Sequence, residues 1–194
     1  TREKSSEGSC FSESSTLILS NGEVKPLANV RIGDIVQPFD RFGRLVFFEV
    51  SLVQHQNVDE VTEMLEIAFY ENKNTSEQRS ITVSPQHYLG GSCRGEKRRA
   101  DAFATGSSIF VLNSNGKCAA VTVASVVKHL SAPRNAHTLN DRMIVDGVLA
   151  TLFVEMSVAR VLESIFGPVL LLPLKVLHTT YNSSFVHELS IIAN

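Results

Sequence analysis

The stretch GDIVQPFDRFGRLVFFEV, residues 33–50, decides the fold, because its pattern returns in GSSIFVLNSNGKCAAVTV, residues 106–123. A shift of 73 residues, from position 33 to position 106, aligns the two stretches without a gap. Each reads as an apolar strand, a polar turn with glycine and a second apolar strand. The matched pairs are Gly33 with Gly106, Val36 with Ile109, Phe39 with Leu112, Asp40 with Asn113, Gly43 with Gly116, Arg44 with Lys117, Phe48 with Val121 and Val50 with Val123. The sequence therefore predicts an internal duplication, with two similar β-units packed as a pseudo-dimer.

Short apolar runs separated by turn residues fill the chain from Ser15 to about Val127. The runs are rich in Val, Ile and Phe, and no long amphipathic pattern interrupts them, which favours an all-β domain. Asn21-Gly22 lies between two extended runs and predicts a hairpin in which both turn residues have positive φ. The other predicted strands are Leu45–Val53, Met64–Phe69, Arg79–Ser84, Ser108–Leu112 and Ala119–Val127.

The pattern changes after Val148. Apolar residues recur at helical spacing across residues 154–165, with charged residues on the other faces, which predicts an amphipathic helix that ends at Gly167-Pro168. The apolar run over residues 169–174 is broken by proline and is too short to span a bilayer. Three roles stay open for this appendage: it covers the core, lies at a membrane surface or binds a lipid.

The composition excludes several classes of protein. The 194 residues are 43% hydrophobic and 20% charged, which is enough apolar material for one domain with a core. The net charge of −2 provides no field that would attract nucleic acid. The basic run Arg94, Lys97, Arg98 and Arg99 has no interleaved aromatic residues and is interpreted as a solvated loop. No metal or cofactor is implied, and we expect a monomer.

The three cysteines, Cys10, Cys93 and Cys118, are too few and too unevenly spaced for a disulfide framework or a zinc site. Whether Cys93 pairs with Cys118 stays open at this point, and an odd count makes a reactive thiol worth considering. The first nine residues are small and polar and do not begin with methionine, so we interpret the chain as an excised piece of a longer precursor. Two glycosylation sequons, at Asn74 and Asn182, are compatible with a secretory route.

Two short patterns are candidates for chemistry. Cys10 precedes the first predicted strand, where a small buried structural residue is the plainer interpretation. Further along, an apolar strand beginning at Ile81 ends in the hydroxyl residue Ser84, and His87 follows three positions later, beyond a proline. This spacing can place an imidazole beside a backbone amide at the strand end. A histidine after a strand is nevertheless more commonly an ordinary surface or hydrogen-bonded residue.

Together these patterns resemble the hedgehog autoprocessing (Hog) domain of the Hint (hedgehog/intein) superfamily. Four blocks occur in the order of that family: Cys10-Phe11-Ser12 with Ser15-Thr16, Lys25-Pro26-Leu27 with Ile32-Gly33-Asp34-Ile35-Val36, Thr82-Val83-Ser84-Pro85-Gln86-His87, and Ile144-Val145-Asp146-Gly147-Val148-Leu149-Ala150. The last block looks like the final core strand of the family. The repeat agrees with the resemblance, because the Hint fold consists of two intertwined, duplicated β-units.

The resemblance implies a two-step acyl transfer on the chain's own upstream polypeptide. The Cys10 thiolate attacks the carbonyl of Ser9, and the amide becomes a thioester by an N-to-S shift. Because the shift is uphill unless the departing amine is protonated, an acid is needed near the Cys10 nitrogen. The resemblance gives that role to His87. Ser84, where the family usually has threonine, would hydrogen-bond the scissile bond or orient His87.

In hedgehog proteins the second nucleophile is a sterol hydroxyl, which the region after the β-core recognises. The resemblance thus divides the chain into an upstream tail (1–9), a Hint β-domain (10–152) and a sterol-recognition region (153–194), within a secreted precursor that passes through the endoplasmic reticulum. Two departures matter. His55 stands where the family has the aspartate that deprotonates the sterol, and Leu152 stands where it has a cysteine. Histidine can also act as a base near neutral pH.

Two further hypotheses stay open. His55 favours a Hint module whose thioester is resolved by water or a thiol without lipid transfer, as in bacterial intein-like or nematode hedgehog-related modules. A catalytically inert β-domain that serves as an interaction module is the alternative from a different class, in which replacement of Cys10 changes only local packing. Intein splicing proper is disfavoured. Its second cleavage occurs after an asparagine that follows a histidine, and although Asn194 is the last residue, no His-Asn pair is present there.

Overall fold

A computed structural model describes residues 10–38, 40, 44–54, 61–71, 78–113, 115–139 and 142–154 of the chain. Strands and two short 3-10 turns make up the regular structure of these residues, which confirms the all-β prediction. The strands are β1 Phe11–Ser12, β2 Thr16–Ile18, β3 Val24–Pro26, β4 Ile35–Val36, β5 Phe48–Gln54, β6 Thr62–Tyr70, β7 Gln78–Val83, β8 His87–Gly90, β9 Lys97–Arg99, β10 Ser108–Leu112, β11 Cys118–Ser131, β12 Pro133–Thr138, β13 Arg142–Val145 and β14 Val148–Val154. The 3-10 turns are Leu27–Asn29 and Ala100–Ala102.

The strand order of the large sheet is symmetric about its centre. The order is β4-β5-β12-β1-β7-β6-β11-β10-β14-β8-β9, with β13 paired to β14. On either side of the central β1–β7 pair, β12 corresponds to β6, β5 to β11 and β4 to β10. The hairpin β2–β3 forms a separate two-stranded sheet and corresponds to the hairpin β8–β9. This arrangement is the pseudo-twofold duplicated fold that the repeat predicts.

Backbone hydrogen bonds repeat at the shift of 73 residues. The Gly33 N–H donates to the Val50 carbonyl at 2.9 Å, and the Gly106 N–H donates to the Val123 carbonyl at 2.9 Å. Both glycines have positive φ, 94° and 87°, a conformation that a side chain would strain. Two more pairs of bonds match, Asp40 N to Arg44 O with Asn113 N to Lys117 O, and Val30 N to Leu27 O with Phe103 N to Ala100 O. The repeat seen in the sequence is therefore a repeat of backbone structure.

The two copies exchange strands. β6 follows β5 along the chain but pairs with β11, and β12 follows β11 but pairs with β5. Each copy is thus completed by a strand from the other. At the centre, Phe11 of β1 pairs with Val83 of β7, and both side chains are fully buried. Because burial of one such side chain contributes about 1.5–3 kcal/mol, the centre of the sheet is also part of its core.

The hairpin at Asn21-Gly22 is present, but the predicted turn type is wrong. Only Gly22 has a positive φ, 85°, while Asn21 does not. The Leu19 N–H donates to the Glu23 carbonyl at 2.8 Å, so three residues form the loop. In such a loop only the last residue needs positive φ, and the Asn21 side chain instead accepts the Glu23 N–H at 3.0 Å.

The prediction of one strand over Ile144–Ala150 is also wrong. β13 ends at Val145 and β14 begins at Val148, because Asp146 and Gly147 have φ of 50° and 76° and reverse the chain. The predicted helix (154–165), the apolar run (169–174) and the sterol-recognition region (153–194) lie outside the described residues, apart from the end of β14. Within the described part of the chain, no helix is long and apolar enough to cross a membrane.

Cys93 and Cys118, whose pairing the sequence left open, form a disulfide. Cys93, in the turn between β8 and β9, is bonded to Cys118, the first residue of β11, with 5.8 Å between their Cα atoms. The crosslink ties the turn after β8 to the long strand of the same copy. Since β8 begins at His87, the disulfide constrains the strand that carries this residue.

Candidate active site

Cys10 lies one residue before β1, at the centre of the large sheet. Phe11 pairs with Val83 on one side and with Arg134 on the other. The Cys10 side chain is 2% exposed and lies outside the Cys93–Cys118 disulfide. Neighbouring strands on both sides fix the backbone that leads into Cys10, so its amide group has a defined position.

Ser84 follows β7 and completes the pairing with Cys10 through its side chain. The Ser84 N–H donates to the Cys10 carbonyl at 2.9 Å, as expected for the next step of an antiparallel ladder. The Cys10 N–H donates to the Ser84 hydroxyl at 2.9 Å. The Ser84 carbonyl instead accepts the N–H of His87 at 3.1 Å and so closes the turn that leads into β8. One residue therefore contacts the Cys10 amide and positions His87.

His87 is fully buried beside β1. Its ring lies 4.2 Å from the ring of Phe11, centroid to centroid, at an angle of 54°. Its Nε2 is 2.7 Å from the Thr151 carbonyl oxygen on β14. A carbonyl oxygen only accepts, so Nε2 carries the proton, and Nδ1 is the acceptor nitrogen of the neutral ring. Contacts from β1 and β14 thus fix both the position and the tautomer of this imidazole.

Burial sets the protonation state of His87. Loss of hydration lowers its pKa from 6.5 to about 4, against the opposing hydrogen bond to Thr151, and the nearby His137 lowers it slightly further. The ring is therefore neutral at pH 7. Once protonated, an imidazole with a pKa this low is a stronger acid than an exposed one, which suits it to giving a proton to an amide nitrogen.

Of the predicted site residues, Cys10, Ser84 and His87 come together at the centre of the sheet, whereas His55 lies outside the described residues. The carbonyl of Thr151 was missed, because a backbone group has no signal in the sequence. A further histidine, His137, is not among the predicted site residues. It lies half-buried on β12, with Nε2 2.7 Å from Gln54 Oε1.

Asp146, in the turn between β13 and β14, binds the chain just after β1 through hydrogen bonds. Its carboxylate accepts the Thr16 N–H at 2.7 Å and the Thr16 hydroxyl at 3.0 Å. Burial raises its pKa, and hydrogen bonds from Ser15 and Thr16 and the charge of Arg79 partly oppose that rise. The β13–β14 turn is thereby attached to the start of β2.

The geometry suits acyl chemistry at a backbone amide. A buried thiol adjoins a peptide nitrogen that is already hydrogen-bonded to a hydroxyl, and a neutral imidazole lies against the next side chain. Thiol, hydroxyl and imidazole are the groups that nucleophilic catalysis with proton transfer uses. Within the described part of the chain, no three His, Cys, Asp or Glu side chains meet as a metal site requires.

Comparison of the sequence with known proteins finds one family profile and several individual relatives that match. The profile of the family described as the Hint module matches residues 2–188. The chain is 32% identical over 80 residues to Protein hedgehog of Drosophila erecta, a match over 41% of this chain and 16% of that protein. It is 31% identical over 80 residues to Protein hedgehog of Drosophila melanogaster, over 41% of this chain and 16% of that protein. The matched stretch is thus under one fifth of the length of these relatives.

Solved structures with a similar fold include inteins and an intein-like domain. The Ssp DnaB mini-intein variant M86 has a TM-score of 0.63 and 12% identity, over 80% of this chain and 99% of that chain. The bacterial intein-like domain from Clostridium thermocellum has a TM-score of 0.55 and 15% identity, over 73% of this chain and 97% of that chain. At these identities the likeness is one of fold.

Proposed function

The chain belongs to the Hint module family, the autoprocessing domains related to hedgehog proteins and inteins, and from this premise we propose that Cys10 cleaves the Ser9–Cys10 peptide bond. One observation carries the proposal: the nitrogen of that bond donates to the Ser84 hydroxyl at 2.9 Å, next to the β-strand whose first side chain contacts His87. The bond to be broken is thus hydrogen-bonded to the Ser84 hydroxyl, and the His87 imidazole packs against the residue that follows Cys10.

The first step exchanges an amide for a thioester. The Cys10 sulfur attacks the Ser9 carbonyl carbon, a C–S bond forms, and the C–N bond breaks as nitrogen leaves as a free amine. The thiol releases one proton and the departing nitrogen takes one up, so no net proton is exchanged with solvent. Ser84 holds the amide through its hydroxyl and keeps the turn to His87 in place.

His87 delivers the proton to the departing nitrogen in this mechanism. Before the reaction the His87 ring is neutral, so no charge is buried in the core. Because its pKa is about 4, the ring gives up a proton readily once it is protonated. The Thr151 carbonyl accepts the Nε2 proton throughout, so Nδ1 is the nitrogen that gains and loses a proton. Proton transfer then needs no movement of the ring away from β14.

The second step releases the upstream polypeptide by attack on the thioester. We propose a sterol hydroxyl as acceptor, with residues 153–194 recognising the sterol, which would leave the upstream fragment as a lipid ester. The support is the family and the 32% identity to Protein hedgehog over 80 residues. Resolution by water or a thiol is the second candidate, and the histidine at position 55 favours it.

A reporter fusion tests both steps. A small folded protein is joined upstream of Thr1, and the fusion is incubated with hydroxylamine or with a sterol in detergent micelles and read by intact mass. Hydroxylamine attacks thioesters without reducing the Cys93–Cys118 disulfide, which dithiothreitol would break. We expect release of the reporter as its hydroxamate, and no release from Cys10→Ala.

The mass of the released reporter separates the hypotheses. A sterol-sized addition supports lipid transfer, and a free carboxylate that forms at the same rate with or without sterol supports hydrolysis. A folded fusion that is not cleaved under either condition would instead identify an inert interaction module.

We also propose that the domain matures in the secretory pathway. The supporting observation is the disulfide between Cys93 and Cys118, since disulfides form and persist in oxidising compartments. Expression of the fusion with and without a secretory leader, followed by labelling of thiols, tests this. Full labelling of both cysteines in the secreted protein would contradict it.

A further inference from the structure

The strand register places the Cys10 side chain on a particular face of the large sheet. β12 pairs with β1 through Phe11–Arg134 and Ser12–Pro133, so the next step of the antiparallel ladder puts Cys10 opposite Asn135. On its other side β12 pairs with β5, where Asn135 is opposite Gln54. Directly opposed residues project from the same face. Cys10, Asn135 and Gln54 therefore share one face, and Phe11 projects from the other.

His137 lies on the face of the Cys10 thiol. It comes two residues after Asn135 on β12, and alternate residues of a strand share a face. An independent contact agrees, since His137 Nε2 is 2.7 Å from Oε1 of Gln54, which is on that face. In an antiparallel ladder His137 is the diagonal neighbour of Cys10, at about 7–8 Å between backbones and within reach of an aromatic side chain.

The two histidines differ in face and in access to solvent. His87 is fully buried and contacts Phe11, whereas His137 is half-buried on the opposite, thiol-bearing face. They are close enough for a charge on His137 to lower the pKa of His87. His137 is therefore the more accessible of the two histidines, and it shares the face of the Cys10 side chain.

Local contacts hold His137 in a defined tautomer. The amide oxygen of Gln54 only accepts, so His137 Nε2 carries the proton, and Nδ1 is the acceptor nitrogen of the neutral ring. The ladder between β12 and β5 has an irregularity between His137 and Thr138, a device that re-aims side chains near active sites. The backbone of His137 is also held in place, because the Ser51 hydroxyl donates to the His137 carbonyl at 3.3 Å.

We propose that His137 is the general base for the second step, a role that rests on the self-cleavage proposed above. Its Nδ1 takes the proton of the hydroxyl or water that attacks the thioester carbonyl. The new C–O bond forms as the C–S bond breaks, and the Cys10 sulfur leaves with the electron pair and recovers the proton from the imidazolium. The titratable groups near His137 are Cys10, one residue before β1, and His87 at the start of β8, while Arg134 projects from the other face of β12.

The test compares acceptors that differ in their need for a base. Hydroxylamine attacks a thioester unaided, whereas water and a sterol hydroxyl must lose a proton, and general-base catalysis contributes about 10²–10⁴-fold. In the reporter fusion we expect His137→Gln to keep the hydroxylamine rate within about twofold and to lower release by water and by sterol about 100-fold. The exposed His129 on β11 provides the matched control, and His129→Gln should leave all rates unchanged.

A second variant separates chemistry from structure. His137→Ala opens a half-buried site, so free imidazole in the buffer should restore at least a tenth of the release by water, a recovery that a structural role would not give. An equal loss with hydroxylamine and water would overturn the proposal, as would normal release by water or a loss confined to His55→Ala. If the unmutated fusion does not react with hydroxylamine, self-cleavage itself is wrong, which is a different result.

Discussion

The two copies of the β-unit begin with the same backbone turn but carry different side chains in it. In the first copy the Ser15 N–H donates to the Ser12 carbonyl at 3.0 Å, and in the second the His87 N–H donates to the Ser84 carbonyl at 3.1 Å. The shift here is 72 residues rather than 73, because the turn between β8 and β9 is one residue longer than that between β2 and β3. Ser12 is thus the counterpart of Ser84, and Ser15 of His87.

The side chains of these counterparts make different contacts. The Ser84 hydroxyl accepts the Cys10 N–H, while the Ser12 hydroxyl is within 2.7 Å of the hydroxyls of Ser14 and Ser131. The turn is therefore required by the fold in both copies, and only the second copy has the groups for proton transfer. The first copy contributes the thiol instead. A symmetric backbone thus supports a chemically asymmetric site.

The largest expected effect comes from replacing the His87 imidazole, and Ser15, its counterpart in the first copy, provides the control. His87→Gln removes the proton donor for the departing amine and should slow thioester formation about 10²–10⁴-fold. Ser15→Ala occupies the equivalent position of the first copy and should keep the rate within about twofold. The measurement is the rate of hydroxylamine-dependent reporter release by intact mass. Equal losses in both variants would mean that the turns matter only for folding.

A second prediction concerns the pH dependence of stability. His87 has a pKa of about 4 in the folded chain and 6.5 as its ordinary value. Between these values the unfolded chain binds a proton that the folded chain does not, so the free energy of unfolding falls as the pH is lowered from 6.5 to 4, by about 3 kcal/mol in all. Above pH 6.5 this contribution is fully present.

Urea unfolding of the Cys10→Ala protein between pH 4 and 7 measures this slope. His87→Gln in the same background should remove it, whereas Ser15→Ala should retain it. The buried Asp146, whose pKa is raised, acts in the opposite direction because protonation relieves a buried charge. Asp146 keeps its hydrogen bonds in the parent and in His87→Gln and cancels in their difference, whereas Ser15→Ala also removes a hydrogen bond to Asp146. An unchanged slope in His87→Gln would contradict the burial of a neutral imidazole.

The smallest expected effect concerns the hydroxyl. Ser84→Ala removes the bond to the Cys10 N–H, and the loss of one such bond, at about 1 kcal/mol, should slow thioester formation about 5–10-fold. Ser84→Thr retains the hydroxyl and should react at nearly the normal rate. Ser12→Ala is the counterpart control, with little change expected. A Ser84→Thr protein as slow as Ser84→Ala would assign the effect to packing rather than to the hydroxyl.

The sequence predicted the features that depend on residue type and spacing. Glycines at turns that need positive φ, together with alternating apolar runs, are sufficient to detect the duplication. Ser84 and His87 could be paired with Cys10 because the ordered blocks resemble a known family. These signals are local in the chain, so they are visible without knowledge of the register.

Features that depend on strand pairing could not be predicted. β12 is polar, with Arg134 and Asn135 buried between two neighbouring strands, so its residues do not resemble a core strand. His137 acquires its position only when β12 lies between β1 and β5. The Thr151 carbonyl, which fixes the tautomer of His87, is a backbone group that any residue could supply.

The exchanged strands also determine how late in synthesis the residues around Cys10 come together. Cys10 leaves the ribosome early, but β12 and the Thr151 carbonyl belong to the last part of the described chain. At 5–20 residues per second, translation from Cys10 to Thr151 takes on the order of ten seconds. During that interval the first copy cannot close its sheet, because β12, the strand that completes it, comes after β11 in the chain. The interleaved topology thus delays completion of the proposed site until most of the described chain has been translated.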